Sequence, residues 1–248
     1  MIHLKTKKQI ELMREACRIT KGMLDIVEKH IKPGISTLEL DKIAEDYCRS
    51  QGAIPSFKGY GGFPGSICAS NNEVIVHGIP SGDIILKEGD IISIDCGAYI
   101  RGYNGDAART FAVGKISPEK QKLIDVTKQC FFEGIKDLKV GDHIGDIGER
   151  VQKYAESFGY SVVREMVGHG IGKEMHEDPQ VPNYGHKGFG PIIENGLCIA
   201  IEPMINMGKK DIVIESDGWT TRTRDRKPSA HYENTVAITD EGIEILTL

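Results

Sequence analysis

The sequence lacks several features that would settle its class early. It has no C-x-x-C pair, because its six cysteines (Cys17, Cys48, Cys68, Cys96, Cys130 and Cys198) are scattered through 248 residues. That scatter fits reduced thiols in the cytoplasm and speaks against a disulfide framework or a zinc ribbon. No stretch approaches the roughly 20 apolar residues of a membrane span, and the start, Met1 to Leu4 before Lys5, has no apolar signal core. Charge of one sign is not in excess either. Against 36 acidic residues stand 31 basic ones, a net charge of −5, which argues against a general nucleic-acid surface and against DNA as a partner. The glycine-rich stretch Gly59–Ser66 is not followed by Gly-Lys-Ser/Thr, so it is no phosphate loop.

What is present reads as an ordinary globular chain. Apolar residues make up 40% and charged residues 27%, and the length falls between one and two domains at about 150 residues each. Twenty-nine glycines imply many tight turns. Thr6-Lys7-Lys8-Gln9 and Ser36-Thr37-Leu38-Glu39 are capping boxes. The first predicts a helix to about Lys32 and the second a helix to Gly52. Ser117-Pro118 opens a third helix to about Leu138, and a fourth is expected from about Gly145 to Phe158. Strand patterns occupy Ile91–Asp95, Asp106–Val113, Leu197–Pro203, Ile212–Glu215, Thr235–Ile238 and Ile243–Leu246. Two helices then strands, twice over, predict an α+β fold with helices covering mostly antiparallel sheet.

A repeat runs through the chain at an offset of 107 residues. Lys32-Pro33-Gly34 matches Lys139-Val140-Gly141, and Gly52 matches Gly159. The segment Gly89–Asp95 matches Gly196–Glu202, so each half ends a strand in one carboxylate. The expected architecture is a single domain over 1–248, with halves of about 1–115 and 116–248 related by a pseudo-twofold axis. Asp95 and Glu202 should meet near that axis.

Asp95 closes an isoleucine-rich strand, where an unpaired charge costs several kcal/mol. Asp106 follows eleven residues later, and a tight connection around Ile100-Arg101-Gly102 is expected to set the two aspartates opposite each other with a cation between them. His169 stands among glycines in Gly168-His169-Gly170-Ile171-Gly172, read as a loop that a ligand approaches closely, and His176 follows within reach of the same cavity. Glu202 precedes Pro203, and Glu233 sits in His231-Tyr232-Glu233-Asn234-Thr235. Four carboxylates and one imidazole suit hard or borderline ions such as Mn²⁺, Fe²⁺ or Co²⁺. Two ions would balance the charge and generate hydroxide at neutral pH.

The ordered set Asp95, Asp106, His169, Glu202 and Glu233 resembles the five-ligand site of the methionine aminopeptidases, of the creatinase/aminopeptidase "pita-bread" fold. Met166–Gly172, His176 and Val181-Pro182-Asn183-Tyr184 are similar to the type I, bacterial-like pattern, and Asn72–Pro80 resembles the segment carrying an active-site histidine. The resemblance covers essentially the whole chain. It implies two divalent ions, with Asp95 chelating one, Asp106 and Glu233 bridging, and His169 and Glu202 completing the second site. It implies attack by a metal-bridging hydroxide whose proton Glu202 handles. His77 would bond the substrate backbone and His176 would stabilise the oxyanion. Tyr60, Phe63, Cys68, Met175 and Trp219 would line the methionine pocket, where Met175 replaces a common aromatic and Phe57 stands where a cysteine occurs. The implied reaction is removal of the initiator methionine from nascent chains when the second residue is small, by a cytoplasmic monomer. The basic cluster Arg222–Lys227 is a candidate ribosome contact, with a solvated loop as the plainer reading. Rivals are a proline-specific peptidase of the same fold and a binding module that keeps the fold without catalysis.

Overall fold

The computed structural model describes residues 1–248, and its helices begin where a side-chain oxygen meets an orphan N–H. Thr6 accepts from the Gln9 N–H, and the Gln9 side chain accepts the Thr6 N–H at 2.8 Å, which opens α1 (Lys7–Glu28). Ser36 and Glu39 cap α2 (Thr37–Ser50) in the same reciprocal way. Ser117 caps α3 (Pro118–Ile135) with proline at its first position. At α4 (Ile144–Ser157) the Asp146 carboxylate accepts the His143 N–H at 3.0 Å. The first helix stops short of Lys32 because tight turns take over its last carbonyls, His30 N–H donating to Val27 O at 2.9 Å.

Each helix pair covers its own sheet, and every strand pairing is antiparallel. In the first half, Ile91–Ile100 pairs with Tyr103–Ala112, Ile67–Asn71 and Ile54–Pro55. In the second, the order is Gly242–Ile245, Asn234–Thr239, Leu197–Ile201, Gly168–Gly170, Glu177–Val181. Two smaller three-stranded sheets complete the layer. Packing α1 and α2 on the first sheet buries Met23, Leu40, Ile92 and Ile94 in one cluster. A second cluster joins Phe131 and Val151 of α3 and α4 to Ile199 and Val236. Hydrogen bonds repeat at the 107-residue offset: Gly34 N–H to Leu86 O at 2.8 Å has its counterpart in Gly141 N–H to Ile193 O at 2.9 Å. The bridge Ser36 to Ile85 likewise recurs as His143 to Ile192.

The register of the central hairpin differs from expectation. Its two-residue loop is Arg101-Gly102, both left-handed at φ 53° and 82°, which pairs Ile100 with Tyr103. Counting back, Asp106 faces Gly97 and Asp95 faces Ala108. The aspartates are therefore diagonal neighbours on one face, not directly opposed, and diagonal neighbours still lie within side-chain reach.

Candidate active site

Asp95 and Asp106 reach the site from this hairpin, which the second half clasps. The Asp106 N–H donates to Thr235 Oγ1 at 3.0 Å, and that hydroxyl donates back to Asp106 O at 2.9 Å. The Glu233 N–H donates to Ala108 O at 2.9 Å, so the glutamate is held against the aspartate strand. Glu202 follows directly on the strand Leu197–Ile201, its carbonyl accepting from Asn183 Nδ2 at 2.9 Å. His169 is not on a loop. It lies in the short strand Gly168–Gly170, paired on both sides within the five-stranded sheet. The flanking glycines serve strand packing, since a Cβ on Gly170 would stand 2.1 Å from Asp178 O and one on Gly168 2.4 Å from Ala200 O.

The five side chains converge at one cavity floor. His169 Nδ1 lies 2.8 Å from Gly170 O and donates to it, which leaves Nε2 as the free nitrogen. Nε2 is 3.5 Å from Asp106 Oδ2 and 3.8 Å from Glu202 Oε1. Burial pushes the Asp106 carboxyl up to about 8, against hydrogen bonds from Glu233 and Asp95 that hold it down. Burial, reinforced by the neighbouring carboxylates, drives Asp95, Glu202 and Glu233 well above the carboxylate range. Burial also pushes the His169 imidazole down to about 4. Four buried acids crowded together resist ionising at once unless cations compensate them. The donor set fits that demand. Asp95 Oδ1, Asp106 Oδ1 and Glu233 Oε1 are buried without any hydrogen-bond partner, and the donor atoms of Asp106, His169 and Glu233 lie within 4.8 Å of one another. Hard oxygen donors with an imidazole suit divalent ions.

Above the floor, a cavity of about 700 Å³ is walled by Tyr60, Phe63, Cys68 and Trp219, joined by Phe57 and Val76. Phe63 meets Trp219 edge-on at 5.2 Å between ring centroids. Burial, followed by the charge of Asp95, holds the Cys68 thiol well above its ordinary value, so Cys68 is an inert wall and not a nucleophile. Met175, expected in this wall, does not line the cavity. It is buried with Ile10, Met13 and Tyr103 in a small core cluster. His77 and His176 both line the cavity, and burial pushes each imidazole down to about 4. His77 holds a left-handed φ of 58°, a conformation uncommon for a residue with a side chain. His176 Nδ1 lies 2.9 Å from Tyr60 Oη, and its ring centroid is 4.2 Å from that of His169.

Two residues at the site carry no role in the sequence reading. His231 is fully buried, with Nε2 3.7 Å from Glu202 Oε2 and 3.8 Å from Glu233 Oε2. Its signal was the i, i+2 spacing to Glu233, which sends two side chains to one side of an extended segment. Arg109 donates to Ala108 O at 2.8 Å, to Glu233 O and to Asn234 Oδ1 at 2.6 Å, with its guanidinium 4.2 Å over Tyr232. A charge inside an apolar strand was the signal there. The basic cluster, by contrast, is largely spent internally. Arg222 pairs with Glu73 at 3.0 Å and Glu215 at 2.8 Å, and Arg226 with Glu215 at 3.3 Å.

Comparison with known proteins gives the same picture. The profile of Metallopeptidase family M24 matches residues 11–240. A methionine aminopeptidase of Clostridium acetobutylicum is 56% identical over 248 residues, covering 100% of this chain and 99% of that one. The crystal structure of methionine aminopeptidase from Rickettsia prowazekii superposes with a TM-score of 0.98 at 41% identity, covering all of both chains. Prolidase from Pyrococcus furiosus, at 24% identity, shares the fold with a TM-score of 0.81 over 99% of this chain and 65% of that one.

Proposed function

We infer the chemistry of this chain from its family and its site together: it belongs to metallopeptidase family M24 and is a metal-dependent peptidase of the pita-bread fold. Its reaction, in our reading, is removal of the N-terminal methionine from nascent polypeptides whose second residue is small. One observation carries this: Asp95, Asp106, His169, Glu202 and Glu233 converge beneath apolar walls in a single cavity. A flexible thioether side chain suits such walls.

The five floor residues would hold two divalent ions, cobalt, manganese or iron. Bound there, the ions supply Lewis-acid polarisation of the scissile carbonyl and lower the pKa of a water molecule. Glu202 takes the proton of the attacking water and passes it to the departing amine. His176 Nδ1 lies 2.9 Å from Tyr60 Oη; in our reading that hydroxyl donates, which leaves the ring proton on Nε2 to meet the carbonyl oxygen as negative charge develops. His77, neutral at physiological pH, bonds the substrate backbone. Tyr60, Phe63, Cys68 and Trp219 receive the methionine side chain. On this reading residues 1–248 act as one catalytic unit, its two halves giving Asp95 and Glu202. The setting is the cytoplasm, where nascent chains emerge, and the protein works as a monomer. Ribosome contact would fall to Arg224 and Lys227, the exposed members of the basic cluster whose charges are not tied to Glu73 or Glu215.

The test is hydrolysis by the Co²⁺- or Mn²⁺-loaded protein of Met-Ala-Ser beside Ala-Pro peptides. Release of free methionine with the Xaa-Pro bond intact is expected. Cleavage of Ala-Pro with Met-Ala-Ser untouched would overturn the assignment in favour of a proline-specific peptidase.

A further inference from the structure

We propose that His231 is a sixth ligand of the metal centre, giving a nitrogen to the ion held by Asp95 and Glu233. This rests on the five-residue centre proposed above and extends it by one side chain.

His231 Nε2 has no hydrogen-bond partner in its buried position. At 3.7 Å from Glu202 Oε2 and 3.8 Å from Glu233 Oε2 it is too far from either to share a proton. The separation from Glu233 is instead one that donors around a common ion adopt, whereas Glu202 belongs with His169 in the neighbouring site of the centre proposed above. With metal–ligand distances of about 2.1 Å, neighbouring donor atoms stand roughly 3–4 Å apart. His169 Nε2 shows the same spacing, 3.5 and 3.8 Å, to its carboxylates. The donor atoms fall into two overlapping groups, Asp106-His169-Glu233 and Asp95-His231-Glu233, each within 4.8 Å. Glu233 belongs to both, and each group contains one imidazole. The backbone holds His231 in place for this role, its N–H donating to Thr110 Oγ1 at 2.9 Å and its carbonyl accepting from that hydroxyl at 2.9 Å. A nitrogen in the shell of both ions shifts the centre towards Fe²⁺ and Co²⁺ and away from Mn²⁺.

Crystals of the wild-type protein soaked in Co²⁺ give the direct measurement. An anomalous peak about 2.1 Å from His231 Nε2 is expected, and ions located with that nitrogen more than about 3 Å from each would overturn the proposal. In solution, calorimetric Co²⁺ titration of His231→Gln should show one site weakened roughly tenfold or more, with a changed cobalt d–d spectrum and a reduced preference for Co²⁺ over Mn²⁺. His169→Ala serves as the parallel variant. If His169→Ala loses a site while His231→Gln keeps both unchanged, the proposal alone fails. If neither variant changes metal binding, the five-residue centre fails with it. Should His231→Gln not fold, the cobalt map of the wild-type protein decides.

Discussion

At His176 the Tyr60 hydroxyl lies 2.9 Å from Nδ1, and the proposed mechanism has it donate so that Nε2 keeps the ring proton. Tyr60→Phe keeps the apolar wall and removes only that bond. Steady-state kinetics on a methionyl peptide should show kcat reduced roughly tenfold with KM nearly unchanged, the signature of an interaction that matters in the transition state. That Asp95, Asp106, His169, Glu202, Glu233, His77 and His176 belong around one cavity was legible, because their types and order are distinctive. Met175 was not, because consecutive side chains leave the backbone in different directions. While His176 enters the cavity, its predecessor turns to Ile10 and Met13. His231 was missed for the opposite reason: beside Tyr232 it reads as the start of an ordinary strand.

Among the elements, the segment before α1 is tied to the loop that carries His176. Lys5 Nζ bonds Glu177 Oε2 at 2.6 Å with the two side chains only 4% and 6% exposed, and the Lys5 N–H donates to Gly196 O at 2.7 Å. Removing one partner strands a buried charge. Urea unfolding of Lys5→Met should show a loss of about 3–5 kcal/mol, and adding Glu177→Leu should recover much of it. Nothing in the spacing of Lys5 and Glu177 announced this pair, 172 residues apart. The helices were legible because capping boxes and Ser-Pro are local signals. Strands of two or three residues, such as Ile54–Pro55, Val74–Val76 and Thr221–Thr223, are too short for any alternation to show. The hairpin register needed the turn geometry, since only the left-handed pair Arg101-Gly102 fixes which residues face each other.

For the whole molecule, the buried acids and imidazoles set opposing pH dependences. The acids bind protons more tightly folded than unfolded, so their contribution to stability is present at low pH and lost as pH rises, through about 8 for Asp106. The imidazoles, held near 4 at His77, His169 and His176 and near 3 at His231, contribute above about 6.5 and lose it as pH falls. From pH 6.5 to 8 only the acids act. Scanning fluorimetry should therefore show the melting temperature of EDTA-treated protein falling across that window, with Co²⁺-loaded protein higher and flat, because ions replace protons between the carboxylates. The 107-residue offset was legible because glycines at matched positions share left-handed angles, Gly34 and Gly141 at 92° and 97°, Gly89 and Gly196 at 90° and 92°. What no repeat could show is how the halves are joined. Asp106 is bonded to Thr235 through both its backbone N–H and its carbonyl, while Ala108 and Arg109 secure the backbone of Glu233. The span between the two carboxylates is thus a property of the sheets. On the proposed reading the centre is a caliper set in advance, to which an incoming ion must conform.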